Sequence, residues 1–128
     1  MKEIANKDCI QRHFEELWNR GEVEKIDEFF SQGFSDFGVR YSDVRGIIQH
    51  IIRTWRRATP DLEFQIDSLV REGDTIMCEV TVSGTHLGDF PLIAPLNGPT
   101  LAPNGRKFTV KHIHRFRLKE SKIVVHQP

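Results

Sequence analysis

The 128-residue sequence is poor in several features that would narrow its function at once. Its two cysteines, Cys9 and Cys78, are far apart, with neither a CxxC nor metal-ligand spacing. That excludes a disulfide scaffold or a zinc ribbon and leaves them as reduced packing residues. Net charge is also missing: 18 Lys and Arg balance 18 Asp and Glu, so no long-range field gathers nucleic acid or an anionic membrane. The densest basic group, Arg53, Arg56 and Arg57, falls at the polar end of a predicted helix. No apolar run approaches the roughly 20 residues of a membrane span. The opening MKEIANKD is polar rather than signal-like, so the expected location is cytoplasmic. Repeats and low-complexity segments are absent, and the length suits a single domain over 1–128. With formal charge at zero, what varies near neutral pH is the state of six histidines.

The periodicity divides the chain in two. Ile10, Phe14, Leu17 and Trp18 are at helical spacing within 3–19, and Gly21 stops that helix. A shorter helix is predicted over 22–30 through Val23, Ile26, Phe29 and Phe30, followed by an extended piece around 34–37. A third, over 46–57, gathers Ile47, Ile48, Ile51, Ile52 and Trp55 on one side and ends at Thr59-Pro60-Asp61. From Leu62 onward the period becomes 2 and β-branched residues take over. Strands are predicted over 62–67, 75–87, 108–118 and 123–126, with turns at Glu72-Gly73-Asp74 and Lys119-Glu120-Ser121. Residues 89–107 hold four of the six prolines and read as a long connection. The expected fold is α+β, with three N-terminal helices over one face of a curved antiparallel sheet.

Alternation then sorts the strand residues by face. In 108–118 the inner set is Phe108, Val110, His112, His114 and Phe116; in 76–86 it is Ile76, Cys78, Val80, Val82, Gly84 and His86. The last strand is ambiguous: Val124 and His126 form one face, and Ile123, Val125 and Gln127 the other. Three or four histidines therefore project toward Trp18 and Trp55. An imidazole in an apolar cavity can donate, accept or transfer a proton and polarise a bound carbonyl. For any one of them, packing with satisfied ring nitrogens is the plainer reading; three on one face point to a site. A metal centre is a further reading, but no carboxylate is in phase with them. Asp36 is placed near the cavity mouth, with a turn role as its alternative. Tyr41 offers a phenol to a ligand, or sits in a turn or interface. His13 and His50, on helices, read as partly exposed packing residues.

Five segments, LWNRGEVEKIDEFF, ATPDLEFQIDSLVREGDTI, GTHLGDF, LAPNGRKFTVKHIHRFRL and SKIVVH, follow one another in an order that resembles the SnoaL-like polyketide cyclase and ester cyclase group. That group lies within the nuclear transport factor 2-like cone fold, which also holds ketosteroid isomerase and scytalone dehydratase. The resemblance covers nearly the whole chain. It implies a cone-shaped, cystatin-like α+β barrel around one deep cavity, a homodimer, and cofactor-free chemistry like an intramolecular aldol closure. His114 and His126 match the family's pocket histidines on the last two strands, which would put His126 inside, and His112 matches an inward polar neighbour. Pro128 stands where the family's acid/base aspartate is expected, so that role does not carry over. The isomerase donors are not reproduced either: Phe14 and His112 occupy the corresponding places. The connection 89–107 is longer than the usual GxPPTGR-type link and is expected to serve as a lid or dimer contact.

The functional expectation is a small-molecule enzyme acting on an apolar carbonyl compound. His114 would transfer the proton, with His112 and His126 orienting or polarising. Phe14, Trp18, Trp55, His86, Tyr41 and Asp36 would contact the substrate. The expected partner is a small apolar molecule, with no cofactor, metal, nucleic acid or membrane involved. The rival is a binding protein on the same scaffold that holds such a ligand without transforming it.

Overall fold

A computed structural model describes the backbone of residues 2–36, 39–40, 44–91 and 100–127, and side chains within 5–31, 45–89 and 102–127. The predicted first helix has two parts. An α-helix, α1 (Lys2–Arg12), runs straight into a π-helical segment, His13–Asn19. The wider winding is closed by the Arg20 amide donating to the Glu15 carbonyl at 3.0 Å, and Gly21 then turns the chain at φ +72°. A Cβ there would also meet the Arg56 guanidinium at 3.0 Å. That guanidinium is committed to structure: it donates to the Trp18 carbonyl at 2.9 Å and so ties the end of the π-helical segment to the third helix.

The second helix is a short 3₁₀ helix, Val23–Glu28. Phe29 and Phe30 leave it, and Phe30 begins strand β1 (Phe30–Asp36), which pairs with the two-residue β2 (Val39–Arg40). Helix α2 (Val44–Ala58) follows, its Ile52 fully buried and Arg53 and Arg57 turned outward. The remaining long strands are β3 (Glu63–Glu72), β4 (Thr75–Thr85), β7 (Lys107–Lys119) and β8 (Lys122–Gln127). Between them β5 (Phe90–Pro91) and β6 (Thr100–Leu101) form a small separate pair within the predicted long connection. The expected lid or dimer contact falls partly on 92–99, outside the described residues.

The main sheet has the order β2-β1-β8-β7-β4-β3 and is not wholly antiparallel as expected: β1 and β8 run parallel. Periodicity could not reveal that seam, because the β1 sequence FSQGFSD has no clean alternation and its partner lies at the other end of the chain. Elsewhere the phases hold. Ile76, Cys78, Val80, Val82, Gly84 and His86 are all buried, as are His114, Phe116 and Leu118. Val110 keeps the inner phase but is 43% exposed, because it lies near the open end of β7. The core joins Ile10, Phe14, Leu17, Val23, Ile26 and Phe29 of the helical layer to Phe64, Ile76, Val80, Phe116 and Ile123 of the sheet.

A bulge explains the ambiguity of β8. Leu118 pairs with Ile123 and Arg117 with Val125, so Val124 is the extra residue. Ile123, opposite Leu118, and His126, opposite Phe116, both face inward although their numbers differ by an odd interval. Among the described residues no helix is long and apolar enough to cross a membrane.

Candidate functional site

The helical layer and the sheet enclose an inner chamber of about 240 Å³ lined by Phe14 and Trp18, by Ile48, Ile51 and Trp55 of α2, and by Phe30, Phe64 and four histidines. The histidines are His13, His112, His114 and His126. A second chamber of about 270 Å³ is walled by Trp55, Leu62, Val82, His86, Phe108, Val110 and His112. The two share Trp55 and His112, which form the waist where the chambers adjoin.

At the centre is a pair of imidazoles. His114 Nδ1 lies 2.8 Å from His126 Nε2, close enough for one ring to donate to the other. Both rings are fixed by aromatic packing. His126 stacks on Phe116 with centroids 4.5 Å apart and planes 5° apart, while Phe14 stands edge-on to His114 at 5.5 Å. The strand register sets this up: His126 is opposite Phe116, and His114 is two residues back along β7 on the same face. His114 Nε2, the nitrogen not used in the pair, is buried without a hydrogen-bond partner. His112, 5.4 Å from His114 between centroids, is half-buried at the waist.

Burial dominates the electrostatics. It pushes His114 down to about 4, with a smaller contribution from His112. It pushes His126 down to about 3, with His114 adding to the effect. His112 is lowered by burial alone. The charged form is disfavoured in each because burial strips away the hydration it would need. At neutral pH these rings are therefore uncharged, each carrying one N–H and one lone pair.

His13 corrects the sequence reading. It is 1% exposed, not a partly exposed bystander, and lies edge-on to Phe14, Phe30 and Phe116. Burial drives its pKa well below the usual value, with His126 and His114 contributing, and its Nδ1 has no partner in hydrogen-bonding geometry. The signal was available: His13 is three residues after Ile10 and four before Leu17, both fully buried, and so shares their helical face. His50, by contrast, is exposed.

The remaining candidates divide. Phe14, Trp18 and Trp55 line the inner chamber, with the two indoles in edge contact at 5.5 Å. His86 is buried but belongs to the second chamber. Its backbone secures the base of the long connection: the His86 amide donates to the Arg106 carbonyl at 3.0 Å and its carbonyl accepts from Gly105 at 2.9 Å. The Asp36 backbone pairs in β1 opposite His126, but its side chain lies outside the described residues, as do Tyr41 and Pro128. Among the described residues no group of three or more His, Cys, Asp or Glu side chains is arranged to hold a metal ion. Cys9 and Cys78 are buried thiols, both pushed up to about 12 mainly by desolvation, and so are not nucleophiles near neutrality.

Comparison with known proteins follows the same lines. A family model described as SnoaL-like polyketide cyclase matches residues 8–127. Among solved structures, TsrD from Streptomyces laurentii superposes with a TM-score of 0.77 at 23% identity, covering 96% of this chain and 85% of that one. AclR, a putative hydroxylase from Streptomyces galilaeus, gives 0.73 at 22% identity, with 95% and 85% covered. A putative polyketide cyclase from Acidithiobacillus ferrooxidans gives 0.73 at 21%, with 96% and 85% covered. These likenesses establish the cone fold of the nuclear transport factor 2-like proteins. No curated protein matches the sequence.

Proposed function

The chain belongs to the SnoaL-like polyketide cyclase family, and from that premise we propose that it moves protons on a carbonyl compound held in the inner chamber, with His114 as the catalytic residue. The observation that carries this reading is the 2.8 Å contact between His114 Nδ1 and His126 Nε2 in an apolar enclosure. If His114 Nδ1–H donates to His126, the lone pair on His114 Nε2 is free for a substrate proton.

In the forward step Nε2 takes a proton from the carbon next to the carbonyl, and the C–H electron pair becomes the enolate. The imidazolium formed is stabilised by its Nδ1–H bond to His126, a positioning residue. When the enolate carbon attacks a second carbonyl of the same molecule, a C–C bond forms and the new alkoxide takes the Nε2 proton. His114 is thereby returned to neutrality, with no external oxidant, reductant or aspartate required. His112 is suited to donate to the polarised carbonyl oxygen, while Trp18, Phe14 and Trp55 exclude water.

The low basicity of both rings favours a second reading. A base near 4 is weak for carbon acids at neutral pH, where the ideal value lies near 7. A ligand-binding protein without turnover would retain the same walls. The two readings separate in a measurement that needs no physiological substrate: exchange of the α-protons of 2-hexanone in D₂O, followed by proton NMR. An enzyme of the proposed kind accelerates exchange, and His114→Ala lowers that acceleration by roughly 100-fold or more. Equal rates for both proteins and for buffer would remove His114 from any mechanism and leave the binding reading.

A further inference from the structure

The inner chamber is small. At about 240 Å³ it falls below the roughly 300–1,000 Å³ of typical small-molecule sites, as does the second chamber at about 270 Å³. Together they reach that range, and they are not independent, since Trp55 and His112 belong to both walls. Neither chamber has a charged side chain among its described lining residues. Against these described walls a phosphate, carboxylate or ammonium group would be desolvated without a counter-ion, which disfavours it.

We propose that the chamber beyond Trp55 and His112 is a second substrate subsite, and that the ligand is an extended, uncharged carbonyl compound with an apolar tail. This rests on the reading of the inner chamber as the place where the carbonyl reacts. The reacting end lies beside His114 and His126, the shared wall at Trp55 and His112 holds the middle of the molecule, and the tail lies against Leu62, Val82, Phe108 and Val110. His112, half-buried at the waist, meets a carbonyl or hydroxyl between the two apolar parts; a purely hydrocarbon middle would leave its ring nitrogens facing carbon. His86 and Val110 then set how long or wide a tail is accepted. Val110 is the informative position: it sits at the open end of β7 at 43% exposure, so a larger side chain there narrows the second chamber without filling the core.

The test is binding of unbranched 2-alkanones from 2-hexanone to 2-dodecanone, measured by calorimetry on the wild type and on Val110→Trp and Val110→Phe. Histidine ring signals are recorded by NMR in parallel. In the wild type, affinity is expected to rise roughly fourfold per added CH₂ beyond the length that fills the inner chamber. In Val110→Trp the rise stops at a shorter ketone, with Val110→Phe between the two, and only the longer ketones shift His86. The same chain-length profile in all three proteins would overturn the subsite. If, instead, 2-hexanone shifts neither His114 nor His126, the reading of the inner chamber fails. The two failures are therefore distinct.

Discussion

Strands β4 and β7 carry two surfaces whose chemistry differs although the residues interleave one by one. On the inner side the β4 partners of His112 and His114 are apolar, Val80 opposite His112 and Cys78 opposite His114. On the outer side Asp67 of β3 accepts from the Thr81 hydroxyl at 2.5 Å and from the Lys111 ammonium at 3.1 Å, and Arg115 donates to Gln127 at 2.9 Å. The directions of the pKa shifts follow. Thr81 and then Lys111 hold the Asp67 carboxyl below its ordinary value, favouring charge, whereas desolvation on the inner side drives imidazoles toward neutrality. A shift of one residue in register would exchange these environments. What sets the inner histidines apart from the outer face is therefore their burial among apolar neighbours, which disfavours charge.

Phe116 is the residue whose loss should disturb the inner face most. Its ring is fully buried, stacks on His126 and lies beside His13 and His114. Phe116→Ala is expected to cost about 3–5 kcal/mol in urea unfolding, and to loosen the histidine pair in whatever fraction remains folded. A loss below about 1 kcal/mol would mean that the packing described for this face is not what holds it.

Acid is the next largest lever. His114 has its folded pKa depressed to about 4, so between the ordinary value of 6.5 and about 4 the unfolded chain binds a proton that the native chain does not. The stability is complete above about pH 6.5, declines as pH falls, and this decline ends once the native ring protonates. For His114 alone the loss amounts to about 3 kcal/mol. His114→Phe should flatten the dependence of the urea midpoint on pH in that window; an unaltered slope would show that His114 does not titrate in a buried state. The smallest effect is expected outside. Lys111→Ala removes a 71%-exposed side chain from its partner on the solvated face and should leave the thermal midpoint indistinguishable from wild type.

The sequence reading went furthest where alternation is uninterrupted. The inner phases of β4 and β7, hence the placement of His86, His112 and His114, follow from apolar residues two apart, and the structure keeps them. It stopped where backbone irregularities intervene. The bulge at Val124 puts Ile123 and His126 on one face, so no count by twos could assign β8. The parallel seam between β1 and β8 joins residues about 90 apart and leaves no local periodic trace. His13 is hidden for a different reason: it has the spacing of the buried face of Ile10, Phe14 and Leu17, but a polar side chain there carries no hydropathy signal of burial. That Trp55 and His112 line both chambers depends on how α2 lies over the sheet, which is tertiary packing that no strand or helix pattern encodes.

The central claim is that His114 and His126 form one neutral, hydrogen-bonded pair inside an apolar chamber. Its most direct measurement is a nitrogen-15 NMR titration of the histidine rings from pH 8 downward. The expected result is that both rings remain uncharged to near pH 4, with His114 and His126 in fixed, complementary tautomers. Independent titration of His114 and His126 near 6.5, with averaged tautomers, would contradict the account.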